Sequence, residues 1–312
     1  MAMNKFKLAL LVSSTAFGGA LLALLLFSFI EHKKPSAEAD EHYSKEIQKN
    51  YHVFTLPLPE SATFAGEVVP MQQFDVRERF DRELLVNTYW QSNTLLGIKR
   101  AYRWFPIIEP ILKANGIPDD FKYLALIESN LTNVVSPSGA TGFWQFLEGT
   151  GKEFGLIVND EVDERYHVEK STQAACAYFK KAYERYGSWA MVAASYNMGM
   201  GGLDRQVEKQ RSKNYWDLLL NEETGRYVFR MLAVKEIYNN CSKYGFTLRP
   251  SDLYQPLATT TVMLDSTVND FADYAAKLNV NYKTLKLYNP WLRQSSLKNK
   301  DGVSFEIKIP AQ

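Results

Sequence analysis

Residues 117–129, IPDDFKYLALIES, predict a helix that begins at a proline and ends in a carboxylate. Pro118 suits the first helical position, and Asp119 and Asp120 place negative charge in the first turn, where the helix dipole favours it. One face of this helix follows the i, i+3, i+4, i+7 spacing and consists of Phe121, Leu124, Ala125 and Glu128. The pattern predicts that Glu128 continues the face that packs against the core.

Burial changes the chemistry of a carboxyl group at this position. Partial removal from water disfavours the charged form and raises the pKa, which prepares a glutamate to donate a proton near neutral pH. Glu128 is therefore a candidate general acid. The helical spacing alone also fits a salt-bridged structural glutamate at a helix end.

A turn of distinctive composition begins eight residues after Glu128. Residues 136–146, SPSGATGFWQF, combine proline and glycines with an aromatic run that presents Gln145. Together with Glu128 and Ser129, this stretch resembles the signature of the lytic transglycosylase family, relatives of goose-type lysozyme. The matching positions are Glu128, Ser129, Ser136, Pro137, Gly139, Ala140, Gly142 and Gln145.

Two later blocks agree with the same family in order and spacing. Residues 188–202, SWAMVAASYNMGMGG, carry its Tyr-Asn-x-Gly block, and residues 223–233, ETGRYVFRMLA, carry its Glu-Thr-x-x-Tyr-Val block. The matching positions are Tyr196, Asn197, Gly199, Glu223, Thr224, Tyr227 and Val228. The resemblance covers roughly residues 76–244 and is closest to the membrane-bound branch with C-terminal lysin-motif modules. The chain departs from the family at Phe143, Trp144 and Leu147, where smaller residues or Met are common.

The resemblance implies a lysozyme-like catalytic domain that acts on peptidoglycan glycan strands. Its reaction cleaves the β-1,4 bond between N-acetylmuramic acid and N-acetylglucosamine without water and leaves a 1,6-anhydromuramyl end. Glu128 is then the single catalytic acid and base. The residues expected to orient Glu128 or to bind the saccharide are Ser136, Gln145, Tyr196, Asn197 and Tyr227. Without the resemblance, the two tyrosines fit core aromatics.

The acidic stretch at residues 159–167, NDEVDERYH, is a second candidate for chemistry, because ordinary glycosidases use two carboxylates. It lacks the central glycine and the terminal glutamate of an EF-hand. The resemblance instead places Asp163 and Arg165 in a structural turn, so no catalytic role is assigned to this stretch. The four histidines do not form a ligand pattern, and no metal or cofactor is expected.

The N-terminal segment is expected to lie outside the fold. The apolar run from Leu8 to Ile30 follows Lys5 and Lys7, and a helix of this length covers the roughly 30 Å hydrocarbon layer. Its bulky end favours an uncleaved inner-membrane anchor over a signal peptide, with cleavage left open. Residues 1–30 are therefore interpreted as an anchor or signal segment. The rest of the chain is then expected in the periplasm.

Three further regions follow from the patterns along the chain. Residues 31–74 are polar and proline-interrupted, which predicts a linker. Residues 75–249 show helical periodicity bounded by Gly or Ser, which predicts a mainly α domain. Residues 250–312 predict a small β-α-α-β unit that resembles a glycan-binding lysin-motif module, with Thr267 and Asp270 as a capping box. A module that serves only for packing is the alternative.

The charge and the cysteine content bear on two further questions, whether the protein binds nucleic acid and whether it contains a disulfide. With 36 Lys and Arg against 35 Asp and Glu, the net charge of +1 gives no basic surface for nucleic acid, which is not expected as a partner. Cys176 and Cys241 fit either one disulfide or two buried thiols.

Two functions other than the lyase remain open from the sequence. A hydrolytic lysozyme on the same fold differs only in whether a water replaces the intramolecular hydroxyl of the sugar. A catalytically silent wall-binding scaffold uses the groove and the C-terminal module for adhesion. The sequence places no second carboxylate at the site, which disfavours the hydrolase, and the presence of Glu128, Gln145 and Tyr227 speaks against the scaffold. The lyase is therefore the leading hypothesis.

Overall fold

The structure is a computed structural model that describes residues 41, 44, 45, 49, 53–300 and 302–311. The chain divides into two compact units, Met1–Thr55 and Leu56–Gln312. The apolar run from Leu8 to Ile30, predicted as an anchor, lies outside the described residues. Within the described part of the chain, no helix is long and apolar enough to cross a membrane.

Helices dominate the second unit, as the sequence predicts. Before residue 250 they are α1 (Phe74–Tyr89), α2 (Gln91–Ala114), α3 (Lys122–Ser129), α4 (Glu148–Glu153), α5 (Val168–Tyr186), α6 (Trp189–Met198), α7 (Met200–Gln210) and α8 (Glu222–Asn239). Short 3-10 turns lie at Asp119–Phe121, Glu164–Tyr166, Tyr215–Asp217, Cys241–Tyr244 and Pro250–Asp252. The prediction of a mainly α fold is confirmed.

Helix α6 forms the centre of the core. Every residue from Ala190 to Ser195 is at most 1% exposed, and α5, α7 and α8 pack around this helix. Its start is fixed by Ser188, whose side chain accepts a hydrogen bond from Met191 N, as an N-cap does. Because the buried helix ends at Met198, it carries Tyr196 and Asn197 to the surface of the domain in a fixed position.

A two-stranded β-ribbon lies inside the stretch that the sequence predicts as a linker. Strands β1 (Thr63–Phe64) and β2 (Glu67–Val68) pair in antiparallel fashion, and Phe64 is fully buried. Asp120 Oδ2 accepts a hydrogen bond of 2.7 Å from Ala65 N, which ties the ribbon to the start of α3. Strands of two residues are too short for a periodic pattern, so the sequence did not indicate them. The domain boundaries themselves stay predictions.

The C-terminal region forms the predicted β-α-α-β unit. Strands β3 (Thr259–Leu264) and β4 (Phe305–Pro310) pair in antiparallel fashion around helices α9 (Phe271–Lys277) and α10 (Tyr282–Tyr288). The prediction that Thr267 and Asp270 form a capping box at α9 is wrong in one respect. Asp270 alone caps the helix by accepting from Ala272 N, whereas the Thr267 hydroxyl donates to Lys298 O. A hydroxyl committed to a neighbouring loop is not available to the helix start.

The acidic stretch at residues 159–167 packs against this C-terminal unit. Asp163 N donates to Trp291 O at 2.9 Å, and Arg293 N donates to Glu161 O at 2.8 Å. Val162 lies in the same hydrophobic cluster as Leu292 and the rest of the C-terminal core. The stretch therefore joins the two parts of the second unit, which gives its charges and turn a structural role.

The two cysteines are free thiols. Cys176 is fully buried in α5, and Cys241 is half-buried in the turn that follows α8. Burial raises the pKa of the Cys176 thiol to about 12, so this side chain acts as a small apolar core residue. The sequence left open one disulfide or two buried thiols, and the structure thus favours the thiols.

Candidate active site

Glu128 lies in the last turn of α3, at the edge of the core. Phe121, Leu124 and Ala125 on the same helix face are fully buried, and Glu128 is half-buried where that face reaches the surface. The helix ends immediately afterwards at Asn130, which adopts the left-handed conformation with φ of 50°. The predicted helix face is confirmed, and its carboxylate is partly shielded from water.

Three neighbours set the electrostatics of Glu128. Burial raises its pKa, a hydrogen bond donated by the Tyr227 hydroxyl to Oε1 and the positive charge of Arg230 lower it, and the negative charge of Glu223 raises it further. The net direction is upward. A carboxyl group with a raised pKa holds its proton closer to neutral pH, as a general acid requires.

Tyr227 in α8 is a hydrogen-bond donor whose phenol stays protonated. Its side chain is fully buried, and burial together with the adjacent Glu128 carboxylate raises the pKa of the phenol well above its usual range. The hydroxyl therefore remains protonated and points its hydrogen at Oε1 of Glu128. Arg230, one helical turn further along α8, donates to Ile127 O at 2.7 Å and so braces the backbone beside Glu128.

A cavity of about 520 Å³ opens beside Glu128, and we call it the loop cavity because the 136–146 loop forms one wall. The sequence-predicted residues Ser136, Gln145, Tyr196 and Asn197 all line it together with Glu128. Tyr227 reaches the same place through its hydrogen bond to Glu128. The structure thus brings all six predicted residues to one site.

Several of these side chains also hold the site together. The Tyr196 hydroxyl donates to Trp144 O at 2.6 Å, and Ser136 Oγ accepts from Ala140 N at 3.0 Å. Gln145 Nε2 donates to Gly142 O at 2.8 Å and to Val134 O at 3.1 Å. Because these bonds go to the backbone, they fix the shape of the loop that faces Glu128.

Arg165 also holds the 136–146 loop in place. Its guanidinium pairs with both carboxylate oxygens of Asp163, at 2.9 and 2.7 Å, and donates to Gly139 O and Phe146 O at 3.2 Å each. A planar, bidentate pair of this kind restricts both partners. Asp163 and Arg165 thus form the predicted structural turn, and that turn supports the loop.

Gly142 permits the close approach of the loop to this turn. Its φ is +80°, and an added Cβ would lie 2.0 Å from Arg165 O. We therefore expect Gly142→Ala to lower the free energy of unfolding by about 2–4 kcal/mol, from backbone strain and overpacking together. Gly139→Ala is the matched control, since Gly139 has φ of +79° but nothing within 4 Å of the added Cβ.

Urea unfolding of the two variants separates these contributions. Gly139→Ala should cost only about 1 kcal/mol, the strain of a positive φ. Equal losses for the two variants would show that contact with Arg165 does not constrain the loop.

Glu223 is a site residue to which the sequence interpretation gave no role. It is exposed at the start of α8, accepts a hydrogen bond of 2.8 Å from Asn197 Nδ2, and lines the loop cavity together with Glu128. Asn197 Oδ1 accepts in turn from the Thr224 hydroxyl at 2.7 Å. Glu223 belongs to the Glu-Thr block that the sequence analysis singled out, but only the fold shows that it lines the same cavity as Glu128.

A second cavity of about 600 Å³ shares Glu128 and Glu223 with the first. We call it the junction cavity, because the junction of α1 and α2 supplies part of its lining, including Val86, Asn87 and Trp90. Sequence periodicity identified these helices but gave no reason to place them at the site. Glu128 and Glu223 thus lie where the two cavities adjoin.

The departures from the family pattern fall mainly outside the groove. Phe143 and Trp144 are 3% and 0% exposed, and the Trp144 indole donates to the Thr172 hydroxyl at 2.9 Å in the core. Leu147 is exposed and lines the loop cavity. The bulky pair therefore changes core packing, whereas Leu147 belongs to the groove surface.

Among the described residues, no group of three or more His, Cys, Asp or Glu side chains is arranged to hold a metal ion.

Comparison with known families agrees with this architecture. Residues 105–219 match the transglycosylase SLT domain, and residues 260–312 match the soluble lytic transglycosylase C-terminal LysM-like domain. The chain therefore contains a transglycosylase SLT domain followed by a LysM-like domain.

The chain is homologous to the membrane-bound lytic murein transglycosylase D of Escherichia coli. It is 29% identical over 228 residues to that protein from strain K12, and the match to the protein from strain CFT073 is the same. The aligned region is 71% of this chain and 49% of the relative, so the chain spans about half the length of the curated relatives it matches.

Two solved structures are also similar. The 70 kDa soluble lytic transglycosylase of Escherichia coli is 18% identical with a TM-score of 0.40, over 58% of this chain and 32% of that chain. An inactive mutant of the lytic transglycosylase Slt from Pseudomonas aeruginosa is 15% identical with a TM-score of 0.39, over 72% of this chain and 47% of that chain.

Proposed function

We propose that this protein cleaves the β-1,4 bond between N-acetylmuramic acid and N-acetylglucosamine in peptidoglycan without consuming water. The observation that carries the proposal is the half-buried Glu128 with a raised pKa, which lies in the lining of two cavities. The SLT domain and the homology to a lytic murein transglycosylase support the same reaction.

In the first step, protonated Glu128 acts as the general acid. Its proton moves to the glycosidic oxygen as the bond from that oxygen to C1 of the muramic acid breaks. The carbonyl oxygen of the N-acetyl group of the same sugar bonds to C1 and holds the positive charge. The strand that leaves carries a free 4-hydroxyl, and Glu128 is now a carboxylate.

In the second step, the Glu128 carboxylate acts as the general base. It takes the proton from the 6-hydroxyl of the same sugar, whose oxygen attacks C1 as the bond to the acetyl oxygen breaks. The product is a 1,6-anhydro ring, and Glu128 is protonated again. Because the nucleophile belongs to the same sugar, proximity replaces an activated water molecule. The donated hydrogen bond from Tyr227 and the charge of Arg230 stabilise the carboxylate between the steps.

A hydrolytic muramidase is the second candidate, and Glu223 is the observation that favours it. Its exposed carboxylate lines both cavities beside Glu128, where a second carboxylate of a glycosidase would activate water. However, Glu223 already accepts a hydrogen bond from Asn197, and its charge raises the pKa of Glu128. We therefore assign Glu223 to orienting Asn197 and to keeping Glu128 protonated.

Digestion of purified sacculi followed by mass spectrometry distinguishes the two reactions. The lyase leaves anhydromuramyl ends, whereas hydrolysis leaves reducing ends that are heavier by one water. For Glu223→Gln, we expect the same anhydro products at a lower rate. Loss of all cleavage in Glu223→Gln, together with reducing ends from the wild-type protein, would identify the hydrolase.

We further propose that the protein works in the cell envelope, in the periplasm, with the N-terminal segment at the inner membrane. The support is the apolar run of residues 8–30 and the homology to a membrane-bound relative. The LysM-like domain is proposed to bind N-acetylglucosamine-containing glycan. Its loop around Trp291 and Arg293 packs on residues 161–163, so this binding must use another face.

A further inference from the structure

The acidic stretch at residues 159–167 is held by the LysM-like domain through its backbone and through one buried side chain. The backbone forms hydrogen bonds with Trp291 O and Arg293 N, at 2.9 and 2.8 Å. Val162 is 2% exposed and forms an isolated β-bridge with Leu292. The position of the stretch therefore depends on a domain that follows it by more than a hundred residues in the sequence.

The residues that follow Arg165 also pack on the LysM-like domain. The guanidinium carbon of Arg293 lies 4.0 Å from the centre of the Tyr166 ring, which is a cation–π contact. The ring of His167 lies 5.8 Å from that of Trp291. Contacts with one domain thus fix the chain both before and after Arg165.

The side chain of Arg165 bonds instead to the 136–146 loop, where Phe146 O is one of its acceptors. The same carbonyl oxygen accepts from Thr141 N at 3.0 Å, which closes the loop. Gln145, the residue before Phe146, has a φ of +49°, in the left-handed region that side chains other than glycine rarely adopt. A backbone in this conformation needs support from its surroundings, and Arg165 supplies it at the adjacent residue.

The loop in turn determines part of the site around Glu128. Ser136 and Gln145 line the loop cavity together with Glu128. A shift of about 1 Å in a group that positions a substrate can lower a rate about 10²-fold. The contact with the LysM-like domain therefore bears on the rate, although no described residue of that domain lines either cavity.

We infer that Trp291, Leu292 and Arg293 of the LysM-like domain are positioning residues for the proposed reaction, which act through Arg165 on the loop that carries Gln145. Docking of this domain on the acidic stretch then sets kcat, independently of any glycan that the domain binds. The inference rests on the proposed function and adds to it a dependence on the contact between the two domains. The Asp163–Arg165 pair is the connection, since Asp163 N bonds to Trp291 and its carboxylate holds the Arg165 guanidinium.

Val162→Asp is the stronger test of this inference. A carboxylate at this buried position favours separation of the stretch from the LysM-like domain, because water then reaches the charge. Asp163, Arg165 and the 136–146 loop are unchanged in sequence. On short soluble glycan strands, we expect kcat to fall about tenfold or more while KM changes less than about twofold. Hydrogen exchange of the amides in residues 136–146 should become about tenfold faster.

Val162→Thr is the matched control for Val162→Asp. Threonine keeps the shape of the side chain and adds no charge, so the two domains should stay in contact. Its kcat and its exchange rates in residues 136–146 should lie much closer to those of the wild-type protein.

Arg293→Ala is a second test that does not depend on a buried residue. Arg293 is exposed, and its replacement removes the cation over Tyr166, so kcat should fall about two- to fivefold. Arg293→Lys should restore most of the loss. In an Arg165→Lys background, which lacks the planar fork, Arg293→Ala should have little further effect. Lys283→Ala, which replaces an exposed cation of α10, is the matched control and should leave kcat unchanged.

Several outcomes would overturn the inference. One is a folded Val162→Asp protein with unchanged kcat and unchanged exchange in residues 136–146. A change in KM alone would assign the contact to glycan binding. If exchange also became faster at residues 190–195 of α6, Val162→Asp would have unfolded, and equal kcat values for Arg293→Ala and the wild-type protein would then decide against the inference.

Failure of the proposed function gives a different result. The wild-type protein would then cleave no glycan strand, whatever happens at the contact between the domains. The exchange rates of residues 136–146 in the Val162 and Arg293 variants would still show whether the LysM-like domain holds the loop.

Discussion

Glu128→Gln is expected to reduce the rate of sacculus digestion by a factor of about 10²–10⁴ or more, the usual contribution of a positioned general acid. Glutamine keeps the size of the side chain and accepts a hydrogen bond from Tyr227, but it has no proton to give or take. Both steps of the proposed reaction depend on that proton. The measurement is the release of soluble muropeptides over time, by chromatography.

Glu153→Gln is the matched control for this substitution. Glu153 is an exposed glutamate of α4 that pairs with Lys181 at 2.8 Å, away from the lining of both cavities. Its replacement should leave the rate unchanged. Equal digestion by Glu128→Gln and the wild-type protein would remove the basis of the proposed chemistry. If neither rate exceeded that of sacculi without protein, the silent scaffold would be supported.

Glu128→Gln also has an expected effect on the stability of the folded protein. Because the pKa of Glu128 is raised in the folded protein, the stability that this group contributes is present below its unfolded pKa and is lost as pH rises through the folded value. At neutral pH the charged carboxylate is therefore a cost to folding. Glu128→Gln should unfold at the same temperature as the wild type or higher, so a loss of activity cannot be attributed to unfolding.

Tyr227→Phe is expected to move the alkaline limb of the pH–rate profile to higher pH by about 1–2 units. The hydrogen bond from Tyr227 stabilises the charged form of Glu128 and lowers its pKa, so its loss raises the pKa further. A hydrogen bond to a charged group contributes about 1.5–3 kcal/mol, which sets the size of the shift. At pH values below the alkaline limb the rate should fall, because the Glu128 carboxylate, the base of the second step, is less well oriented without the hydrogen bond.

Tyr186→Phe serves as the comparison for the pH profile. The Tyr186 hydroxyl also has protein partners, Met200 O at 3.0 Å and Asp204 Oδ1 at 2.9 Å, but it is not part of the Glu128 site. Its profile should coincide with that of the wild type. An unchanged limb in Tyr227→Phe would mean that another group, and not Glu128, titrates in the reaction.

Local patterns were sufficient to predict the elements that carry the acid. The stripe of Phe121, Leu124 and Ala125 placed Glu128 on a core-facing helix, and the structure confirms that helix. The turn at residues 136–146 and the later blocks were recognised through their resemblance to a family. Periodicity alone gave no reason to bring Gln145 or Tyr196 to Glu128, because their proximity depends on how separate helices pack.

The groove beyond Glu128 was not predicted, for the same physical reason. Trp90 lies at a junction between two helices, and no local rule states whether such a side chain is buried or faces a cavity. Glu223 belongs to a recognised block, yet its position in the same cavities as Glu128 follows from the packing of α8. The interpretation of residues 159–167 lacked their role in holding the C-terminal domain, since that contact is made by residues far away in the sequence.

Digestion of sacculi by the wild-type protein in ¹⁸O-labelled water, with mass spectrometry of the new muramyl ends, tests the proposed reaction most directly. If the 6-hydroxyl of the sugar is the nucleophile, the ends are anhydromuramyl groups and carry no label. Reducing ends formed with one ¹⁸O atom each would show that water attacks C1, and would contradict the assignment of Glu128 as the acid and base of an intramolecular reaction.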